Sequence, residues 1–274
     1  MASLVWGCCR LIGAMPHWLR YYVLQDTIYF IVYKCLRYRV GVVTENHNLS
    51  EIFISTVSQA AMSDDDCRRR VRVKNLDEVL SDLRGRDALL STAHFGCWEY
   101  DSFLALYTGE HYLAAVYHPL ENKVIDAVYM RLRRRRNIRL IPMKEIIRYY
   151  IDHRLPAGAP GQRIGIGLIA DQNPPLRPNS HWFRFLNQDT VFFDGIEKMA
   201  LKFHMPVYFC RQRRLRRGYY ELEFLRLYDG VEQVAPNEVT ERYVRQLESD
   251  IVADPGMWLW SHRRWKHRRP QCPS

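Results

Sequence analysis

Ala88-Leu89-Leu90-Ser91-Thr92-Ala93-His94-Phe95-Gly96-Cys97-Trp98-Glu99 runs from an apolar stretch through a histidine and a glycine turn to a glutamate five residues past that histidine. The apolar start reads as a buried strand, and Phe103, Leu104, Leu106 and Tyr107 continue as an amphipathic, helix-like pattern. That layout sets an imidazole at the carboxyl end of a strand and a carboxylate in the first turn of the next helix. The two side chains can then meet, so that the glutamate fixes the ring's tautomer and stabilises its charged form. A histidine held this way can take a proton from a hydroxyl nucleophile, which points to acyl transfer. A short pair of this kind also arises by chance. The weight therefore falls on its strand-to-helix setting and on the residues downstream.

From residue 87 onward, strand and helix patterns alternate. Strands are predicted at 88–92, 112–116, 138–141, 164–170, 207–211 and 219–225, and helices near 98–108, 122–136, 144–152, 194–204 and 237–252. This order predicts an α/β layered fold. Upstream, Trp18, Tyr21, Tyr22, Ile28, Tyr29, Val32 and Leu36 recur at helical spacing, while Arg20, Thr27 and Lys34 share another face. Such a helix suits a membrane interface, and equally a place on the protein's own core. Residues 51–61 read as a short helix, and Asp64 to Asp66 with Arg68 to Arg72 as a solvated connector. The resulting division is an N-terminal membrane-associating segment at 1–40, a helical connector at 41–86 and a catalytic domain at 87–270.

The 274 residues carry 40 Lys and Arg against 30 Asp and Glu, and the net charge of +10 favours anionic partners. The hydrophobic share of 47% is enough for a sizeable core and argues against wholesale disorder. Arginines cluster at 131–139, 211–217 and 263–269; the middle run, with Tyr219-Tyr220 directly after it, reads as a strand–turn–strand hairpin. Seven scattered cysteines without a C-x-x-C argue against a disulfide framework and a zinc site, and Cys97 reads as a small filler. No metal and no bound cofactor are expected. No run reaches the roughly 20 apolar residues of a membrane span, and the N-terminus lacks the pattern of a signal peptide.

Further polar groups fall where an α/β sheet places ligands. Asp171-Gln172 comes after the apolar strand at 164–170, just past its carboxyl end, although an aspartate there also opens turns. Arg133 lies in the helix at 122–136, where an arginine could bind phosphate or stabilise an oxyanion. Periodicity does not single it out, and Arg135 and Arg136 lie nearer the apolar stripe. Gly195, opening the helix at 194–204, leaves room for a backbone or acyl chain, or serves core packing. The chain closes on Trp258-Leu259-Trp260-Ser261-His262-Arg263-Arg264-Trp265-Lys266. Tryptophans interleaved with cations suit a membrane-interface belt, a phosphate-gripping lip or a nucleic-acid surface.

Taken together, these elements resemble the lipid A biosynthesis (late) acyltransferase family of the lysophospholipid acyltransferase superfamily. They are Tyr29-Phe30 with Tyr38-Arg39, the His94-to-Glu99 motif, Tyr117-x-Pro119 with Arg133 and Arg135 behind it, Asp171-Gln172, Gly195 to Ala200, and the Trp258-x-Trp260-x-His262-Arg263-Arg264-Trp265-Lys266 close. The resemblance covers about residues 17 to 270. It implies a glycerolipid-acyltransferase-like layered domain with a mixed sheet flanked by helices, plus an N-terminal amphipathic helix at the membrane interface. It also implies an acyl-carrier-protein or coenzyme A thioester as donor and a lipid hydroxyl as acceptor.

In that reading His94 is the base, Glu99 its orienting partner and Arg133 an active-site arginine, aided by backbone N–H groups near Gly96. Arg135, Asp171, Gln172 and Gly195 contact substrate. Trp258, Trp260, Arg263, Arg264, Trp265 and Lys266 meet membrane or lipid headgroup. The implied partners are acyl carrier protein, an anionic lipid acceptor and the cytoplasmic face of a bacterial inner membrane, with no nucleic acid. Two departures stand out: the 39–51 stretch is abridged, and His118 stands where Arg or Lys is usual. Rival readings are an acyltransferase for another membrane lipid (an amino-acid lipid or glycolipid), a basic nucleic-acid-binding module and an inactive relative.

Overall fold

The computed structural model describes residues 1–35, 48–109, 111–134, 138–156 and 159–270. Leu36, Tyr38, Arg39 and the rest of the abridged stretch up to residue 47 lie outside it, as do Arg135 and Arg136. All six predicted strands form, and they join a seven-stranded sheet. In chain order its strands are β1 (Val71–Lys74), β2 (Ala88–Thr92), β3 (Tyr112–Tyr117), β4 (Ile138–Pro142) and β5 (Ile164–Ile169). A two-stranded hairpin, β6 (Trp182–Phe185) and β7 (Gln188–Val191), stands apart, and β8 (Val207–Arg216) and β9 (Tyr219–Tyr228) complete the large sheet. The order across it is β1-β9-β8-β2-β5-β3-β4. Pairing is parallel except between β8 and β9, so the sheet is mixed but mostly parallel. β2 lies between β8 and β5, and Ala88 to Ser91 are buried, as expected of a parallel strand covered on both faces.

Nine α-helical segments are described: α1 (Ala2–Ala14), α2 (Gln25–Tyr29), α3 (Asn48–Ser58), α4 (Asp64–Arg70), α5 (Leu76–Leu83), α6 (Lys123–Arg133), α7 (Ile146–His153), α8 (Gly195–Phe203) and α9 (Glu238–Ala253). The charged run expected to be a solvated connector is α4. Ser63 and Asp66 form a reciprocal capping box, with three aspartates in the first turn and three arginines in the last. Both charge blocks therefore oppose the helix dipole at its own ends. β1 comes at once after it and pairs with β9, so the sheet extends into the segment ahead of residue 87.

Upstream, the helix expected at 18–36 is wound differently from an α-helix. Leu19–Leu24 and Phe30–Cys35 adopt the wider π form on either side of α2. The wider turns change the residue period, so the faces differ from those expected at α-helical spacing. Tyr21 and Tyr29 point inward together with Arg20 and Gln25, while Trp18, Tyr22, Val23, Phe30 and Ile31 are exposed. Among the described residues, no helix is long and apolar enough to cross a membrane.

Candidate active site

Register brings the site together. In the β2/β5 pair Thr92 lies opposite Ile169, and His94 and Asp171 each stand two residues further on. They emerge side by side at the carboxyl edge of the sheet, where open α/β sheets hold ligands. Asp171 Oδ1 lies 2.7 Å from His94 Nδ1. Its Oδ2 accepts from the His94 backbone N–H at 3.1 Å and from the Trp258 indole N–H at 2.9 Å. Burial pushes the Asp171 carboxyl up, but the His94 charge and these three donors outweigh it and hold the group below the usual carboxylate range. An ionised Asp171 keeps the ring proton on Nδ1 and leaves Nε2 as acceptor, where the Gln172 side-chain amide donates at 3.2 Å. The histidine retains 19% side-chain exposure against 3% for the aspartate, so the ring is reachable and its partner is not. Trp98 braces the ring edge-on, with centroids 4.9 Å apart.

Glu99 is not the partner of the ring. Residues Trp98–Leu106 form a 3-10 helix rather than the α-helix expected there, and both Glu99 oxygens are engaged by Arg133. Arg133 Nε donates to Oε2 at 2.9 Å and Nη2 to Oε1 at 2.5 Å. A guanidinium offers two parallel donors, and this bidentate pair fixes the carboxylate. Burial works against the Arg133 charge, yet Glu99 more than compensates and raises its pKa above the ordinary value. Two residues expected at the catalytic centre thus meet each other. The imidazole is oriented by a residue 77 positions away.

The loop carrying His94 is held by its backbone. Phe95 N–H donates to Ala93 O, Gly96 N–H to Met257 O at 2.8 Å and Cys97 N–H to Gln212 Oε1 at 2.5 Å. The backbone donors around Gly96, expected to face an oxyanion, are therefore already used inside the protein. Gly96 itself sits at φ +64°, where a side chain would run into Gln212 Oε1 and come within 2.8 Å of Met257 Cε. Only glycine suits that combination. Cys97 is fully buried, and burial pushes its thiol up, so it acts as a filler.

The tryptophan-rich close lies as a strap over this loop. Phe95 and Trp258 form an antiparallel bridge, and Leu259 N–H donates to His94 O at 2.9 Å. Trp258 is buried with its indole on Asp171. Trp260 and Trp265 are half-buried, and their indole N–H groups donate to Pro255 O and Thr190 Oγ1. Arg264 is buried too, donating to Asn173 Oδ1 and Val191 O and stacking 4.3 Å over Phe192. Burial lowers its pKa to about 10. A tryptophan N–H needs a partner once buried, and these indoles find theirs within the fold. Of the six residues expected at a headgroup, Arg263 and Lys266 stand exposed.

Gly195 opens α8 on the surface, and a side chain there would meet nothing within 4 Å. Arg135 lies outside the described residues. Sequence reasoning missed Gln212, whose carboxamide also donates to Cys97 O and Asp101, and Asn173, which ties His262 and Arg264 to the end of β5. A lone glutamine in the arginine run at 211–217 is the one visible sign of the former. Among the described residues, no group of three or more His, Cys, Asp or Glu side chains is placed to hold a metal ion.

Comparison with known proteins agrees with the motif order. The family described as bacterial lipid A biosynthesis acyltransferase matches residues 38–267. A comparison with curated proteins returns no match. With His94, Glu99, Arg133, Asp171 and the strap all inside the matched region, the chain belongs to the bacterial lipid A biosynthesis acyltransferase family.

Proposed function

We propose that the protein transfers a fatty acyl group from an acyl-carrier-protein or coenzyme A thioester to a hydroxyl of a lipid A precursor or related lipid. The observation that carries this reading is the buried Asp171 carboxylate on His94 Nδ1, which turns Nε2 into an acceptor at the carboxyl edge of the sheet. In the reaction the acceptor hydroxyl takes the place of the Gln172 amide at Nε2. His94 removes its proton as the oxygen bonds to the thioester carbonyl carbon. The carbon–sulfur bond of the tetrahedral intermediate then breaks, and the proton on His94 passes to the leaving thiolate. Asp171 stabilises the imidazolium between these steps. Glu99 positions Arg133, whose Nη1 lies outside their pair and serves the oxyanion.

The basic surface suits an acidic carrier protein and an anionic acceptor. The exposed Trp18, Tyr22, Phe30 and Ile31 suit contact with the cytoplasmic face of a bacterial inner membrane. The test is an acyl-transfer assay on purified protein and its His94→Ala variant, using carrier-protein thioester and total bacterial lipid with products read by mass spectrometry. A lipid heavier by one acyl group is expected from the unmutated protein alone. The same product from a folded His94→Ala protein would rule out the mechanism.

A further inference from the structure

The N-terminal helical stretch covers a second concentration of chemistry, sharing no residue with the His94 cluster. Arg20 is 7% exposed, and its Nε and Nη1 have no hydrogen-bond partner. Its guanidinium carbon lies 5.7 Å from the Tyr21 ring centroid, and that of Arg70 lies 5.3 Å from the same ring. Arg70 also stacks 4.7 Å from Tyr219, whose ring carries Arg216 at 3.9 Å. Three guanidinium groups thus surround two tyrosines and His17, whose ring lies 4.6 Å from Tyr21 and 5.2 Å from Tyr219.

The neighbouring acids do not neutralise this group. Glu51 pairs with Arg214 at 3.1 Å and Asp26 with Arg217 at 3.0 Å. Among the described residues, no carboxylate forms an ion pair with Arg20, Arg70 or Arg216. Arg70 donates to Gly218 O at 3.0 Å and faces His17 Nδ1 at 3.4 Å. The local field is visible at His17, whose pKa falls to about 4 through burial and then through Arg70, Arg20 and Arg216. A buried, unpartnered cation beside two more is costly for a folded protein. Such a cost is retained where an anion supplies the missing partner.

We infer that Arg20, Arg70 and Arg216, with His17 between them, form a phosphate-binding site between the N-terminal helical stretch and the β8–β9 turn. Three guanidinium forks suit the several oxygens and double charge of a phosphate group better than a single carboxylate. His17 is half-buried and Arg216 exposed, which leaves the cluster reachable from solvent, while Arg20 is buried. Exposed Trp18, Tyr22 and Val23 lie alongside in sequence, which allows the phosphate to belong to a lipid headgroup as well as to a small soluble ester.

The test uses the full chain. Unfolding midpoints are measured in inorganic phosphate and in chloride at matched ionic strength. At a phosphate concentration ~100-fold above the dissociation constant, the midpoint should rise by about 5 °C. Arg20→Met should raise the midpoint without phosphate, because it removes an unpaired buried charge, and should abolish the phosphate-dependent rise. A merely structural Arg20 would give the opposite first result. Arg216→Gln, a surface change that spares the fold, should weaken the response about tenfold in affinity. Sedimentation with phosphatidylglycerol vesicles separates the sources. Binding that is lost in Arg20→Met and competed by inorganic phosphate marks a lipid phosphate, and vesicle binding indifferent to Arg20 marks a soluble one. If neither phosphate nor vesicles give a response that depends on Arg20 and Arg216, the site does not exist.

Discussion

Replacing Asp171 with asparagine separates the ring partner seen in the structure from the one suggested by motif spacing. Asp171 receives three donors, one on Oδ1 and two on Oδ2. An asparagine can keep its single carbonyl oxygen toward the pair formed by the His94 backbone and the Trp258 indole. Its NH2 then faces His94 Nδ1. The reverse orientation sets that NH2 against two donors, at about 1–3 kcal/mol for each unsatisfied group, so the first is preferred. In it Nδ1 must accept, the ring proton moves to Nε2, and the base needed for the acceptor hydroxyl is lost. A wrong tautomer of this kind lowers kcat by about 10⁴ in the His–Asp arrangement of serine proteases. That factor corresponds to roughly 5 kcal/mol of transition-state stabilisation. Glu99→Gln leaves the ring alone and loosens Arg133, for which a loss of about 10²-fold is appropriate. Both variants are assayed for kcat with saturating thioester and acceptor, after circular dichroism confirms the fold. Activity within about tenfold of the unmutated enzyme in Asp171→Asn, alongside a loss of about 10⁴-fold in Glu99→Gln, would refute the assignment and return the ring to Glu99.

The two glycines of the sequence motifs should behave differently. Gly96→Ala places a side chain at φ +64° against Gln212 and Met257, and urea denaturation should show a loss of about 3 kcal/mol or more. Gly195→Ala, with open space around it, should stay within about 0.5 kcal/mol of the unmutated protein. Asp101, half-buried beside the site with Thr92 and Gln212 donating to it, is pushed up to about 7, chiefly by loss of solvation. A carboxyl raised this way contributes stability that is present below its ordinary pKa near 4 and is lost as pH rises through about 7, ~4 kcal/mol in all. Asp101→Asn, which can donate to Thr92 and accept from Gln212, should flatten the dependence of the unfolding midpoint between about pH 4 and 8. An unchanged slope would assign that dependence to other groups.

The strands that escape a reading of the sequence do so for identifiable reasons. β1 is Val71-Arg72-Val73-Lys74 inside a run of charges, which masks its alternation. Its cations are answered across the sheet, where Arg72 and Lys74 both reach Glu221 on β9. The β6–β7 hairpin turns through Leu186 and Asn187, both at positive φ, and leucine is not a turn signal. The helix ahead of them shows the opposite failure. Its aromatic residues do announce a helix, but α-helical spacing assigns Arg20 to an outer face, and the π turns carry it inward. Buried strands such as β2 and β5 are legible because apolar runs of that length have few other uses.

The candidate site is legible in its membership and not in its pairing. His94, Glu99, Arg133, Asp171 and Gln172 all carry signals in the chain, and the structure gathers them in two groups, His94–Asp171–Gln172 and Glu99–Arg133. Spacing along the chain favours His94 with Glu99 because five residues is a short reach. What decides the matter is that β5 lies next to β2 in parallel, although two other strands separate them along the chain. Strand order is set by the burial of whole faces, so no local window contains it. Once two buried parallel strands are neighbours, residues at equal distances past their paired ends must emerge together, and His94 and Asp171 both stand at the second position. The strap obeys the same logic. By composition Trp258 reads as an interfacial residue, yet an indole with an ionised carboxylate to meet gains more from burial than from the membrane surface. Burial there completes the set of donors that keeps Asp171 charged.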